Sequence, residues 1–179
     1  MHNLEMLSHL KKKIGKLEVC CYFLVQVKAE KIKSVLASPD LSLETLDSLV
    51  ENFETTAATE TQEEAGWMSK VFRYKDLVFE RNCINYCVSK IAFGALTKIL
   101  QRMMKEDPRD DIVVNHVHPG LVATDLSQGA PWEMMTIDKG AQAPVFAAML
   151  PPKTEIQGAY IWHDCTLVDW VDGEIPEFP

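Results

Sequence analysis

The chain has 179 residues, of which 47% are apolar and 25% charged, a composition typical of one ordinary globular domain. The net charge is −8 and the basic residues are mostly dispersed, which argues against nucleic-acid binding because that requires a concentrated basic face. The five cysteines have neither zinc-ribbon nor C-x-x-C spacing, so we expect reduced thiols in a cytoplasmic protein.

The first predicted elements are an amphipathic helix over 1–14 and a strand over 17–27. The strand is almost continuously apolar, which is typical of a parallel sheet covered on both faces. The lysines before this apolar run, together with the run itself, loosely resemble a signal peptide. Glu18 interrupts the pattern and no A-x-A-like cleavage site follows, so a buried strand is favoured. The run is also too short to span a bilayer, so no membrane association is expected.

The acidic segment 28–66 is predicted to be helical, with a break at Pro39-Asp40. Ser42 is a suitable N-cap for a second helix. Five residues supply the apolar stripe of that helix: Leu43, Leu46, Leu49, Val50 and Phe53. The polar stretch 55–64 is predicted to be a loop.

The strongest helical pattern covers 85–106 and ends before Pro108. Its predicted buried face consists of Val88, Ile91, Ala92, Ala95, Ile99 and Met103.

A strand over 112–117 follows and is closed by the turn Pro119-Gly120. An irregular loop at 121–137, a helix at 139–150 and a strand at 158–162 complete the pattern. The acidic tail from 169 to 177 is predicted to be solvated surface, as are Asp164 and Cys165. This alternation of strands with long helical crossovers is typical of a parallel α/β sheet.

Tyr86 and Lys90 are four residues apart near the start of the strongest helix, so their side chains share one face. A nearby cation favours the phenolate and lowers the pKa of a phenol, which can then exchange a proton near neutral pH. By itself the Y-x-x-x-K spacing is weak evidence, because an exposed helix pair has the same pattern.

The segment His118-Pro119-Gly120-Leu121-Val122-Ala123-Thr124 lies where the strand 112–117 ends. Open α/β sheets bind ligands beyond the carboxyl ends of their strands. Gly120 permits close backbone approach and Pro119 presets the turn, so backbone groups of this loop could bind a carboxamide. An ordinary strand-to-loop turn is the alternative.

Together, Tyr86-x-x-x-Lys90 and a P-G-x-V-x-T loop about thirty residues later resemble the short-chain dehydrogenase/reductase family. Within that family, the chain resembles the carbonyl reductases most. The residues that carry this resemblance are Leu36 to Leu41, Asn52-Phe53, Gly66-Trp67, Leu150-Pro151-Pro152, Gln157-Gly158 and Val168-Asp169-Trp170. The segment 28–66 is similar to the helical insertion of those enzymes, which implies a monomer.

The resemblance implies reduction of a ketone, aldehyde or quinone by hydride from NADPH. Tyr86 would protonate the developing alkoxide, and Lys90 would hold the nicotinamide ribose and depress the tyrosine pKa. The residues implied to contact the nicotinamide end are Pro119, Gly120, Val122 and Thr124. Candidates for the substrate pocket are Trp132, Met134 and Met135, although irregular packing explains those three equally well.

The sequence departs from the family pattern in three places. None of its eight glycines lies within two positions of another, so it contains no T-G-x-x-x-G-x-G turn. Cys21 aligns with the catalytic serine of the family, and a thiol is a weaker hydrogen-bond donor than a hydroxyl. The segment at about 71–83 has no family counterpart and is interpreted as a surface loop or a gene-model artefact.

The resulting expectation is a single partial domain over 1–179, the C-terminal part of a Rossmann-like doubly wound sheet with strands 5–7 and its first half missing. An uncovered strand edge invites pairing with another chain, so we expect such a chain to self-associate. His116 and His118 lie on one side of a strand, but with no third ligand in obvious reach ordinary packing is favoured over a metal site. The alternatives for function are a non-catalytic truncated homologue acting as an interaction or regulatory fragment, and a small α/β protein with accidental motif matches.

Overall fold

The computed structural model describes residues 27–67, 72–74, 77–79, 81–109, 111–127, 133–173 and 176. The helix predicted over 1–14 lies outside the described residues, as does the strand predicted over 17–27 apart from the buried Val27. The elements in chain order are α1 (Glu30–Ala37), α2 (Leu43–Ala58), β1 (Phe72–Tyr74), β2 (Leu77–Phe79), α3 (Arg81–Lys105), β3 (His116–Val117), a 3₁₀ turn (Asp125–Ser127), α4 (Ile137–Gly140), α5 (Gln142–Ala148), β4 (Tyr160–Ile161) and β5 (Leu167–Val168).

Helices α1 and α2 form the predicted helical segment, with the break between them at Pro39-Asp40. Ser42 is the N-cap of α2 as predicted, because its Oγ accepts a hydrogen bond from the Thr45 amide at 3.1 Å. A loop was predicted over 55–64, and its predicted start was wrong because α2 continues to Ala58. The hydroxyls of Thr55 and Thr56 donate to carbonyls one turn back, which keeps these polar residues within the helix.

Trp67 and Arg102 connect helices α1 and α2 to the rest of the described structure. Trp67 is buried, meets Phe53 edge-on with centroids 5.2 Å apart, and donates from Nε1 to Asn52 Oδ1 at 3.1 Å. The guanidinium of Arg102, on α3, donates to the carbonyls of Pro39 and Leu41. The break between α1 and α2 therefore faces the long helix.

Helix α3 begins at Arg81, four residues before the predicted start, and buries the predicted apolar face as far as Ile99. Met103 was wrongly assigned to that face and is 44% exposed. In its place Gln101 turns inward, and its Oε1 accepts a hydrogen bond from the Val114 amide at 2.6 Å. The buried face of α3 therefore becomes polar at Gln101, although the helix itself continues to Lys105.

The segment 71–83, predicted as a surface loop or an artefact, contains the antiparallel hairpin of β1 and β2 and the first residues of α3. Phe72 pairs with Phe79 and Tyr74 with Leu77 in this hairpin. Strands of three residues are too short for an alternating sequence pattern to reveal them.

Strands β3 and β4 are parallel, with His116 opposite Tyr160 and Val117 opposite Ile161, and β5 pairs with β4 in the antiparallel direction. The chain is therefore a mixed α/β structure with a parallel pair, as the alternating pattern predicted. The strands are shorter than the predicted 112–117 and 158–162. Backbone hydrogen bonds nevertheless extend the pairing at both ends, from Gly158 to Val114 at 2.9 Å and from His118 to Ile161 at 2.8 Å.

The C-terminal segment is not solvated surface throughout, contrary to the prediction. Trp170 is buried at 3% exposure, while Asp164 and Asp169 are exposed. An ideal Cβ on Gly94 of α3 would lie 3.6 Å from the Trp170 ring and 3.5 Å from His116 Nε2, so the glycine provides space for both rings. The unpredicted strand β5 brings Trp170 back onto the helix.

The helix predicted over 139–150 is divided at Ala141 into α4 and α5. Pro144 has no amide hydrogen and cannot donate to the carbonyl one turn earlier, which explains the division. Within the described residues, no helix combines the length and the apolar character needed to cross a bilayer.

Candidate functional site

Tyr86 and Lys90 lie on one face of α3, and both side chains are half-buried. The Lys90 ammonium is 5.2 Å from the centroid of the Tyr86 ring and 5.8 Å from that of Phe93. This distance is within the range of a cation–π contact. The helix spacing therefore brings the phenol and the amine together, as the sequence predicted.

The turn after β3 is held by its own first side chain. Gly120 donates its amide hydrogen to Nδ1 of His118 at 3.0 Å. Gly120 has φ +79°, and a Cβ there would meet Met135 Sδ at 2.3 Å and His163 Cβ at 3.4 Å. Both the backbone conformation and the lack of space require glycine at this position.

The pKa of the buried His118 is affected by charged side chains near it. Burial lowers the pKa of the His118 imidazole to about 3, and the positive charges of His163 and then Lys90 act in the same direction. Lys90 is thus close enough to the strand end to influence its chemistry. The predicted site formed by the α3 pair and the turn after β3 stays a prediction.

The loop beyond the turn is ordered by pairing and by a buried hydroxyl. Val122 and Met135 form a parallel bridge, with hydrogen bonds from Met135 to Leu121 at 2.7 Å and from Ala123 to Met135 at 2.9 Å. The Oγ of the buried Ser127 donates to the Val122 carbonyl at 2.7 Å and accepts from the Thr124 amide at 2.8 Å. These bonds fix the backbone of residues 121–124.

An open cavity of about 460 Å³ lies against this loop. Its lining residues are Ala123, Thr124, Asp125, Met134 and Ile137. One predicted cofactor contact and one predicted pocket residue, Thr124 and Met134, thus face the same space. The lining is mostly apolar with a hydroxyl and a carboxylate, which suits a small organic molecule.

The other predicted site residues have varied positions. Pro119 is exposed and Val122 is half-buried beside Met135. Cys21 and Trp132 lie outside the described residues.

Sequence reasoning missed Ser127 and His163. Ser127 carries no motif, since its role depends on a loop that folds back on itself. His163 lies two residues after the end of β4, so its place at a carboxyl strand end was a usable signal.

The imidazoles of His116 and His118 take part in ring stacking on the buried face of the sheet. His116 stacks on Tyr160 and His118 on Trp162, each with centroids 4.2 Å apart. These contacts are those of ordinary strand packing. Within the described part of the chain, no group of three or more potential metal-ligating side chains occurs.

Comparison with curated proteins identifies relatives of this chain. No family model matches the chain. The chain is 31% identical over 144 residues to carbonyl reductase [NADPH] 3 of Homo sapiens, an alignment covering 79% of this chain and 46% of that protein. It is 33% identical over 165 residues to carbonyl reductase [NADPH] 1 of Mus musculus, covering 87% of this chain and 58% of that protein. The corresponding enzyme of Rattus norvegicus is 32% identical over 165 residues, with the same coverage.

The chain spans about half the length of the curated relatives it matches. The similarity at about 30% identity includes both the α3 region and the strand-end loop, because it extends over most of this chain. This chain belongs to the carbonyl reductase-like short-chain dehydrogenases/reductases.

Proposed function

We propose that this chain carries the catalytic part of a carbonyl reductase, which reduces ketones, aldehydes or quinones with Tyr86 as the proton donor. The observation that supports this most directly is the contact between the Lys90 ammonium and the Tyr86 ring, 5.2 Å from its centroid, on the helix face near the turn after β3. The relatives are named as NADPH carbonyl reductases, and the same cofactor is part of the proposal.

The described residues fit the nicotinamide end of such a cofactor. Gly120 has φ +79° with its amide held by His118, and Pro119 beside it is exposed, so the Pro119 side of the turn is the accessible one. The carboxyl ends of the parallel strands β3 and β4 meet at this edge, where open α/β sheets bind their ligands. Pro119, Gly120, Val122 and Thr124 are the proposed contacts.

When bound, NADPH would supply the hydride that reduces the carbonyl carbon. Tyr86 holds a proton at its phenolic oxygen and gives it to the oxygen of the substrate, so that the product is the alcohol. Lys90 holds the nicotinamide ribose and stabilises the phenolate that remains. Met134 and Met135 are proposed to shape the substrate pocket together with Trp132, and Cys21 is proposed to occupy the position of the family serine.

The fold that we infer for the whole unit is a Rossmann-like doubly wound sheet, of which β3 and β4 are two neighbouring parallel strands. The helical segment 28–66 is inferred to be an insertion within this single domain. Its support is that Val50 and Phe53 of α2 are buried in the same hydrophobic core as the apolar face of α3.

A second candidate function is a non-catalytic homologue that acts through interaction. Such a homologue would share the fold without binding the cofactor. Cofactor binding separates the two functions.

Two assays test the proposal. In the first, NADPH is titrated into the protein and binding is measured from the quenching of tryptophan fluorescence. In the second, the rates of reduction of a quinone and of an aromatic aldehyde are measured. Tyr86→Phe should retain binding and lose at least about a hundredfold in kcat, because general acid catalysis contributes that much. Lys90→Met should weaken both binding and turnover, whereas Lys98→Met, two turns along the same helix, should change neither. Wild-type activity in Tyr86→Phe would refute the assigned proton donor, and no NADPH binding by the wild-type chain would favour the non-catalytic homologue.

A further inference from the structure

His118 combines burial, ring stacking and a backbone hydrogen bond in one side chain. It is 6% exposed, and its ring stacks on Trp162 with the two planes 24° apart. Tyr160 meets it edge-on at 6.4 Å between centroids. With rings on two sides, the imidazole has little freedom to rotate away from its position.

The hydrogen bond fixes the protonation state of this imidazole. The Gly120 amide donates to Nδ1 at 3.0 Å, and a ring nitrogen accepts only when it carries no proton. The ring is therefore neutral with its hydrogen on Nε2. A charged His118 would bring two donors face to face and break the contact with Gly120.

The surroundings of His118 keep it neutral. Burial is the largest cause of a pKa lowered to about 3, and the positive charges of His163, Lys90 and His116 add to the effect. Near neutral pH, the Nδ1 lone pair is consequently always available to the turn. A cationic site residue, Lys90, thus helps to preserve the acceptor that holds the neighbouring loop.

We propose that His118 is a positioning residue, whose neutral imidazole holds the Gly120 amide and thereby sets the Pro119-Gly120 turn in the conformation that meets the cofactor. The φ of +79° at Gly120 places its amide toward the ring, while Met135 and His163 close the other side. The inference rests on the proposed function, because only that function gives the turn a cofactor to contact. The contact itself is a property of the protein without any ligand.

The first measurement uses the wild-type protein alone. Long-range ¹H–¹⁵N correlation spectra of the histidine side chains should show the Nε2–H tautomer for His118, with no titration between pH 8 and pH 5. The Gly120 amide should exchange with solvent slowly. An Nδ1–H tautomer, or titration near the ordinary histidine pKa, would overturn the proposal.

The second measurement compares two variants for NADPH affinity. In His118→Asn the side-chain oxygen takes the place of Nδ1 as acceptor, whereas His118→Phe retains a ring for stacking on Trp162 and has no acceptor. We expect His118→Asn to bind NADPH within about twofold of wild type and His118→Phe to bind about fivefold to tenfold more weakly, the range that one hydrogen bond gives. Circular dichroism and melting curves establish that both variants fold.

The outcomes separate this inference from the proposed function. Equal affinity in the two variants, whether weak or unchanged, would overturn the positioning role while leaving the reductase proposal intact. No NADPH binding by the folded wild-type protein would overturn the reductase proposal and the positioning role together, and the tautomer would still report on the contact. A misfolded His118→Phe would leave the tautomer and the rescue by His118→Asn as the deciding observations.

Discussion

The imidazole of His116 lies flat against the ring of Tyr160, with centroids 4.2 Å apart and planes 19° apart. The two residues are opposite each other in the parallel pairing of β3 and β4, and His118 and Trp162 repeat the arrangement two residues later. The two imidazoles thus fill positions that apolar side chains usually occupy in a parallel sheet. The stability of the protein should reflect this in its dependence on pH.

Acidification is expected to destabilise the fold between pH 6.5 and about pH 4. Burial, aided by Lys98, lowers the pKa of His116 to about 4, and burial together with His163 and Lys90 lowers that of His118 to about 3. The unfolded chain binds more protons than the folded chain in this range, so stability is full above pH 6.5 and falls as the pH decreases.

The magnitude is about 2 kcal/mol per histidine between pH 6.5 and pH 5. Urea unfolding at both pH values measures it. His116→Phe retains a ring against Tyr160 and should remove about half of the difference. An equal pH dependence in His116→Phe would show that other groups cause it.

Asn115 should contribute strongly to the pairing of β3 with β4. Its Nδ2 donates to the Ile156 carbonyl at 2.9 Å, and its Oδ1 accepts from the Ala159 amide at 2.8 Å. Asn115→Ala leaves two half-buried backbone groups without these partners, so we expect a loss of about 1–3 kcal/mol in thermal or urea unfolding. The exposed Glu155→Ala nearby serves as the control and should have little effect, whereas similar losses in both variants would contradict the specific role of Asn115.

The indole of Trp67 should depend on a single side-chain acceptor. Its Nε1 donates to Asn52 Oδ1 at 3.1 Å, although Asn52 itself is exposed. Asn52→Leu removes the acceptor and covers the donor with an apolar group, which should cost about 1–3 kcal/mol. Asn52→Asp retains an acceptor oxygen and should stay close to wild type. The unfolding midpoints decide, and equal midpoints for the two variants would mean that water replaces Asn52.

Gly140 should set the position of Val122. A Cβ at Gly140 would lie 2.3 Å from Cγ2 and 2.9 Å from Cγ1 of Val122, so Gly140→Ala must displace a valine that is bridged to Met135. We expect Gly140→Ala to lose about 1–3 kcal/mol of stability, as overpacked cores do.

The double variant Gly140→Ala with Val122→Ala provides the matched test. Removing both valine methyl groups relieves the clash, so the double variant should be less destabilised than the sum of the two single variants. Strict additivity in urea unfolding would show that Gly140 and Val122 do not press on each other.

Local sequence patterns predicted the elements in which a periodic pattern extends over many residues. They failed where the structure depends on a contact with a residue distant in the sequence. Helix α3 was predicted within four residues at its start because apolar residues recur on one face from Val88 to Ile99. The cap at Ser42 was predicted because its hydrogen bond is local. The burial of Trp170 could not be predicted, since it depends on Gly94, a residue far away along the chain that leaves room for the indole.

The candidate site shows the same division. Tyr86 and Lys90 were predicted to meet because helix geometry alone places them together, and they do. The hydrogen bond from Gly120 to His118 and the contacts of Ser127 with Val122 and Thr124 depend on turn geometry that no spacing encodes. His163 reaches this region only because β4 lies next to β3.

The reversed direction of β5 has a practical consequence for reporters. After β5 the chain returns to the side of the sheet where Trp170 lies beside Gly94, away from the Gly120 edge. The exposed Asp172 follows directly, so an Asp172→Cys fluorophore would leave the ligand-facing edge unobstructed. The partly exposed Cys165 must be replaced first, so that the label at position 172 is specific.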